Sequence, residues 1–560
     1  MPSSTRDSPT VLSAPLLVRE EVPPLSPGGG GGGRLVLLLT WLAVGAGSLL
    51  RLFHWADNRA LWRDELYLAA SLVRRGFWEL ATGPLAYEQK APLGFLWAER
   101  LAVELLGKGE MALRLFPLLC GLAALAAFVP VARHFLRPWA AALAVGLLAL
   151  ASPAVYHAVE AKQYSTELLA SVLALLLYVR LPARPGARAL LGWGLAGALL
   201  LWFSYSAVFA LAGTGLAAGL GALRRGGWRR SLPYALPAAL WLCSFAAVYA
   251  LFLGRYQDSR WLTVFFEKVY SAYMPLPPSS AEDLTWFLHK VNALIKHPLG
   301  QKMRFTGSLS FLFVQFRLMS LLLLGTGLVF MPRKDFQKYL VLVFPILLTL
   351  LASGLQLYPF HERFVLFLAP MFLLLIGYGA QVLQEVFPEK LPVKLAVSLL
   401  LLAAPVWNAI SEIRNTDNFY KKEANREALL YINEQFKAGD VVYVYWNMWH
   451  AYEYYKEAYK LKFTAVEGKD LKESSGNQHE YLQNLSPAFN QFQGKKRLWF
   501  LYHTHVRNNI GGFVGQPAWY FDKAFVPGLT LEATFSKMGA KQQEQFEEKE
   551  TVVSLFQLNP

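Results

Sequence analysis

The sequence predicts an α-helical polytopic membrane protein with an α/β domain at its C-terminus, and three observations lead there. Of 560 residues, 54% are hydrophobic and only 17% are charged, too apolar for an ordinary soluble protein of this length. The apolar residues gather in runs of roughly 17 to 25, each long enough to cross a hydrocarbon layer of about 30 Å as a helix. After about Ser411 the runs stop, and short helical and alternating patterns replace them.

Taken in order, residues 1–33 are rich in Pro and Ser and end in the glycines Gly28 to Gly33. They hold too little apolar surface to offset the entropy of ordering, and read as a disordered cytoplasmic tail. No compact signal-peptide pattern precedes the first apolar run at Leu35, so that run is expected to remain as a spanning helix. Further runs begin near Leu113, Trp139, Ser165, Ala189, Tyr205, Tyr234, Leu309, Tyr339, Phe364 and Val393, which makes about eleven spans. The stretch 189–223 is too long for one crossing and is divided at Ser204-Tyr205-Ser206.

The net charge of +15 is carried in short clusters between apolar runs, which argues for topology and a lipid bilayer rather than for nucleic acid as a partner. Those clusters are Arg133 with Arg137; Arg180, Arg184 and Arg188; Arg224, Arg225, Arg229 and Arg230; Arg333, Lys334 and Lys338; and Lys390 with Lys394. They fall on alternate loops, so one orientation satisfies them all: N-terminus cytoplasmic, C-terminal domain extracytoplasmic. An even count of spans would break that agreement, which supports the division of 189–223. Cys120 and Cys243 lie in apolar runs, and no disulfide is expected.

Within the transmembrane module at 34–410, two outer loops, 54–112 and 255–308, are longer than a connection needs, and 411–560 forms the third outer region. Function is expected there. Leu66, Ala69, Val73, Phe77 and Leu80 recur at helical spacing, as in a helix lying flat in the interface, and a second such helix is expected over 91–106. In 411–560 the patterns predict a helix at 423–436, a turn at Gly439-Asp440 and strands at 441–445, 498–502, 529–535 and 552–558. No internal repeat is visible, which weighs against a transporter built from inverted halves.

The stretch Trp62-Arg63-Asp64-Glu65 follows the first span. Asp64 could act as a base and Glu65 could orient it or help hold a divalent cation; the plainer reading is that Asp64 caps the helix it opens. Lys90, ahead of Pro92, is a candidate phosphate ligand, and so are Lys162 and Tyr164 in Glu160-Ala161-Lys162-Gln163-Tyr164, although interfacial lysines also simply snorkel. Arg317 lies inside an apolar run and needs a partner or a cavity, and Arg363 closes a short outer loop as a further cation. His503 and His505 alternate without a third ligand at a usual spacing, so no metal site is assigned to them. Tyr443, Tyr445, Trp446 and Trp449 are either acceptor platforms or strand core.

Together these features resemble the C-type glycosyltransferases that use polyprenyl-phosphate sugars, above all bacterial family 39 with the protein O-mannosyltransferases and the lipid A aminoarabinose transferase. The resemblance rests on Leu61-Trp62-Arg63-Asp64-Glu65, Lys90 to Pro92, Ala112-Leu113-Arg114-Leu115-Phe116-Pro117, Glu160 to Ser165, and Arg363-Phe364-Val365-Leu366-Phe367-Leu368-Ala369-Pro370. It implies a membrane glycosyltransferase with Asp64 as catalytic base and Lys90 against the lipid phosphate, working by one inverting displacement. It also implies a polyprenyl-phosphate sugar donor, a glycan, lipid or protein acceptor, and a bacterial inner membrane. Where related sequences often carry arginine, this chain has Lys162, a point charge in place of a planar fork. A lipid or solute transporter with a phosphate-binding outer cavity is the competing expectation. Long uncharged spans weigh against it, because a transporter needs polar groups near the midplane.

Overall fold

A computed structural model describes residues 31–256, 260–302, 310–386, 391–419, 421–504, 517–522, 524–541 and 546–558. The tail expected at 1–33 lies, as far as residue 30, outside the described residues, as does His505.

The chain begins with α1 (Gly31–Ala56), followed by three short helices, α2 (Arg63–Arg74), α3 (Phe77–Thr82) and α4 (Leu93–Leu106). The membrane bundle continues through α5 (Leu115–Phe135), α6 (Pro138–Leu150), α7 (Ser152–Ala158), α8 (Tyr164–Arg180), α9 (Ala187–Phe203), α10 (Ala207–Gly226) and α11 (Ala235–Leu251). The second long loop holds α12 (Arg260–Tyr270) and α13 (Ala281–Lys296), after which α14 (Ser310–Lys334), α15 (Phe336–Gly354), α16 (Ala369–Val386) and α17 (Leu391–Arg414) complete the bundle. A helix stands at each of the expected spans. By length and apolarity, seven of the described stretches can cross a membrane, or eight if α6 and α7, bent by 54° at their junction, form one span. The difference from eleven arises partly from short helices such as α8 and α9, of 17 residues each.

Pro153 in the first turn of α7 ends the ladder of α6. The carbonyls this frees are met by the buried Arg51 of α1, whose Nη1 donates to Ala149 O at 2.9 Å and whose Nη2 donates to Leu148 O at 3.4 Å. Helices α14 and α16 meet backbone to backbone: a Cβ added to Gly379 would lie 2.0 Å from Leu323 O, and one added to Gly327 would lie 2.2 Å from Leu375 O. Small residues at a crossing are the usual way spans approach this closely in lipid, where the hydrophobic effect between helices is absent.

After α17 come α18 (Asn425–Gln435) and α19 (Trp446–Tyr459), with a sheet of β1 (Asp440–Tyr445), β2 (Val466–Gly468), β3 (Arg497–His503), β4 (Gly539–Lys541), β5 (Phe546–Glu548) and β6 (Thr551–Leu558). The order is β2-β1-β3-β6-β4, with β5 also on β6. β1 is parallel to β2 and β3, and β6 is antiparallel to β3. One face of the sheet shares a continuous apolar core with α2 and α4, including Leu66, Leu72 and Phe95 with Leu429, Val444 and Trp499. The C-terminal region is thus packed onto the first long loop. α17 also runs to Arg414, beyond the boundary expected at 410.

Two expectations are corrected. Residues 529–535 are helical within Pro527–Phe535: Pro527 opens the helix, Leu531 and Phe535 are buried one turn apart, and Leu529 is exposed. The flat helix expected from Leu66 to Leu80 breaks at Gly76, which starts α3 with its N–H on Glu79 Oε2 at 2.9 Å. Tyr443 and Tyr445 are fully buried sheet core, the commoner of the two readings of that run.

Candidate active site

Glu65, third residue of α2, is fully buried and turned inward. Arg114 grips it bidentately, Nε to Oε1 at 2.9 Å and Nη2 to Oε2 at 2.8 Å, and the Ala161 N–H donates to Oε1 at 2.8 Å. The Trp62 N–H reaches Oε2 at 3.4 Å, so Glu65 rather than Asp64 closes the start of the helix. Both carboxylate oxygens are therefore spent. The expectation that Glu65 orients Asp64 or helps hold a divalent cation is corrected: it is a positioning residue that ties α2 to Arg114 and to the turn before α8.

Asp64, one position earlier on the helix, points elsewhere, because neighbours on a helix do not share a face. Its Oδ2 meets Arg363 Nη1 at 2.6 Å, each side chain about one quarter exposed (25% and 27%). Arg363 stands in the short 3₁₀ segment Glu362–Leu368 ahead of α16, and its guanidinium lies 5.5 to 5.6 Å from the rings of Trp62, Tyr164 and Phe364. Tyr164 is thus brought to the site as part of an aromatic collar. Lys162 is buried beside it, donating to Gln89 Oε1, and its charge acts on Asp64.

A further cation belongs to the segment between α17 and α18. Lys422 sets its Nζ 3.2 Å from the centroid of the Trp62 ring and 5.4 Å from that of Tyr156, and its charge also reaches Asp64. On the other side of Trp62, the indole Nε1 donates to Glu160 Oε1 at 3.0 Å, and His157 Nδ1 is 2.6 Å from Glu160 Oε2. His157 Nε2 in turn lies 3.2 Å from His297 Nε2 in the second long loop. That loop closes over Arg363 as well: Phe266 of α12 meets Phe364 edge-on at 5.1 Å, and Tyr270 stacks on His361 at 4.5 Å.

Burial alone would raise the Asp64 carboxyl, but Arg363, Lys162 and Lys422 outweigh it and hold it below the usual carboxylate range. The opposite balance governs Lys162, where burial wins over the attraction of Asp64 and pushes the ammonium down to about 8. Lys422 is lowered by burial too, although Glu160 and Asp64 draw it up. Glu160, which burial would raise, is kept well down by His157, Lys422 and Arg363. The result is an ionised carboxylate facing three cations at the mouth of the bundle.

Two expected ligands lie apart from this centre. Lys90 is half-buried, burial lowering its ammonium while Glu88 draws it up, and its backbone carbonyl accepts from Gln163 Nε2 at 3.4 Å. Arg317 turns its Nη1 to Asn292 Oδ1 of α13 at 3.4 Å, so its need for a partner is met away from Asp64. Sequence reasoning missed Lys422, which reads locally as one of two solvated lysines, and the Glu160–His157 pair, whose i, i+3 spacing was the available signal. Among the described residues no group of three or more His, Cys, Asp or Glu side chains gathers as metal ligands do.

Fold and site together define a polytopic membrane protein with an ion-paired carboxylate set among cations at one end of its helical bundle. Residues 90–250 match the family described as dolichyl-phosphate-mannose-protein mannosyltransferase, a stretch that includes Lys90, Lys162 and Tyr164. Crystal structures of ArnT from Cupriavidus metallidurans, one bound to undecaprenyl phosphate and one in the apo state, are each 15% identical to this chain with a TM-score of 0.50. They cover 93% and 94% of it and 98% of their own length. The Archaeoglobus fulgidus oligosaccharyltransferase, crystallised with Zn and sulfate, is 13% identical with a TM-score of 0.46, covering 92% of this chain and 72% of that one. No curated protein sequence matches the chain.

Proposed function

We propose that the protein transfers a sugar from a polyprenyl-phosphate donor to an acceptor hydroxyl at the outer face of the membrane, in one inverting displacement with Asp64 as general base. The observation that carries this reading is the Asp64–Arg363 pair at 2.6 Å, flanked by Lys162 and Lys422. A donor with its tail in lipid presents its phosphate at this level of the bundle. The phosphate takes over Arg363, and Asp64 loses the neighbour that most lowers its basicity.

Asp64 then accepts the proton of the acceptor hydroxyl as that oxygen bonds to the anomeric carbon. The bond from the anomeric carbon to the phosphate oxygen breaks, and the electron pair leaves with polyprenyl phosphate. Arg363, Lys162 and Lys422 stabilise the departing charge. Lys90, outside this set, would serve the lipid phosphate on its way in or out. The same reading places the N-terminus in the cytoplasm and the C-terminal domain outside, in a cell membrane of the bacterial inner-membrane type.

The test is release of free polyprenyl phosphate from a panel of polyprenyl-phosphate sugars by the purified protein in nanodiscs, with envelope extract as acceptor. Wild type is expected to release it only with acceptor, and Asp64→Asn to lose at least about a hundredfold in rate, the lower end of what a positioned base contributes. Lys90→Ala is expected to raise KM for the donor with a smaller change in kcat. If donor binds equally to wild type and Asp64→Asn and neither consumes it across the panel, transport of a phosphate-bearing lipid takes the place of transfer.

A further inference from the structure

A cavity within the bundle is lined by none of the residues around Asp64. It has a volume of about 620 Å³ and lies between α9, α10 and α11, bounded by Leu201 and Val208 at one end and by Leu223, Trp228 and Leu232 at the other. From Val208 to Leu223 it follows α10 for roughly 22 Å at about 1.5 Å per residue. That is some two thirds of a hydrocarbon layer of about 30 Å. The walls between these ends are apolar, with Trp241 and Phe245 facing Leu211 and Leu216. Ser231 and Trp241, two of the few polar side chains that line it, spend their donors on Gly219 O at 3.1 Å and Gly194 O at 3.0 Å. The body of the cavity thus suits a hydrocarbon chain.

Its two ends differ. Around Trp228 stand Arg224 and Arg225, in the last turn of α10, and Arg229 and Arg230, in the turn Trp228–Ser231. Trp228 itself is 69% exposed, as an interfacial tryptophan is. Arg224 lies over the Phe336 ring at 4.2 Å and Arg230 donates to Arg225 O at 3.0 Å. Asp335, next to Phe336, is engaged with its own helix, accepting the Lys338 N–H at 3.0 Å and pairing with Lys338 Nζ at 3.4 Å. The positive charge at this end is therefore available to an anion.

One polar group distinguishes which lipid fits. Trp193 lines the cavity and is 3% exposed, and its indole Nε1 has no hydrogen-bond partner among the described residues. A buried donor left unpaired costs on the order of 1–3 kcal/mol. It sits on α9 near the basic end, where the ester carbonyls of a glycerophospholipid lie just beneath the phosphate. A polyprenyl phosphate carries no carbonyl there.

We propose that this cavity holds one anionic glycerophospholipid, with an acyl chain between α9, α10 and α11, an ester carbonyl on Trp193 Nε1, and its phosphate among Arg225, Arg229 and Arg230. The site is separate from the Asp64 centre and does not depend on the reaction assigned to it. Full-length protein, delipidated in detergent, is incubated with phosphatidylglycerol, phosphatidylcholine or a polyprenyl phosphate, and the retained lipid is counted by native mass spectrometry. One phosphatidylglycerol is expected to remain, on the order of tenfold more than phosphatidylcholine at equal concentration. Arg225→Gln with Arg229→Gln, both exposed positions, is expected to bring that ratio close to one without changing the melting temperature. Trp193→Phe is expected to weaken retention of phosphatidylglycerol several-fold. Equal retention of the two phospholipids by wild type, an unchanged ratio in the double variant, or displacement of phosphatidylglycerol by polyprenyl phosphate would each overturn the assignment.

Discussion

At the scale of single residues, the proposed reaction predicts that Arg363 and Lys162 set the two limbs of its pH profile. Arg363→Met removes the nearest cation from Asp64, so the carboxyl titrates higher and the acid limb of kcat/KM moves up in pH. The rate also falls by roughly a hundredfold, because a donor to the departing phosphate is lost. A profile whose acid limb stays put in Arg363→Met would remove Asp64 as its source. On the alkaline side, Lys162, pushed down to about 8, loses its charge as pH rises through that value, and activity declines with it. Arginine does not titrate in this range, so Lys162→Arg is expected to flatten the alkaline limb. Asp64, Lys162 and Arg363 were legible in the sequence because each is a polar residue set at the end of an apolar run. Lys422 was not, since only the tertiary fold carries it over the Trp62 ring.

At the scale of elements, the buried Glu65–Arg114 pair joins α2, the start of the second span and the turn before α8. Arg114 extends the tie by donating to Arg59 O at 2.5 Å and Ala60 O at 3.2 Å. Glu65→Gln leaves that guanidinium buried with one charge unmatched, which costs about 3 kcal/mol or more. Thermal unfolding in detergent is expected to show a clear drop for Glu65→Gln and little change for Asp64→Asn, although the two carboxylates are adjacent. The sequence offered both as one functional pair. Helical geometry separates them by about 100°, and that rule applied to Asp64-Glu65 would have assigned one to the site and one to the scaffold. Residues 529–535 were harder: a short apolar run fits either period, and burial of Leu531 and Phe535 on one face is a tertiary outcome. Gly76, in contrast, was a visible place for the interfacial helix to break.

For the whole molecule, the positions of the spans were readable because each needs a long apolar run, while the way they assemble was not. The contact of Gly327 and Gly379 with facing backbones follows from which helices become neighbours, a non-local fact. The proposed orientation has a direct check. A maleimide that does not cross membranes is expected to label a cysteine placed at Glu473, in the C-terminal domain, in intact cells. A cysteine placed at Arg229 is expected to react only after the membrane is opened. The reverse pattern would invert the topology and put Asp64 on the other face.

The segment that follows α17 is held to the first long loop at several points: Phe419 stacks on His54 at 3.5 Å, the Asn425 amide donates to Leu61 O at 3.2 Å, and Arg426 bonds Asn58 O at 2.8 Å and Glu110 at 3.0 Å. Asp64 follows the first span and is made early in synthesis, while Lys422 is made only after the last span. Under the proposed reaction, a nascent or truncated chain therefore presents Asp64 without its full set of cations, and the centre is finished last. If the proposed reaction holds, the order of synthesis is a safeguard, keeping half-built copies from acting on a lipid-linked donor in the membrane where they are assembled.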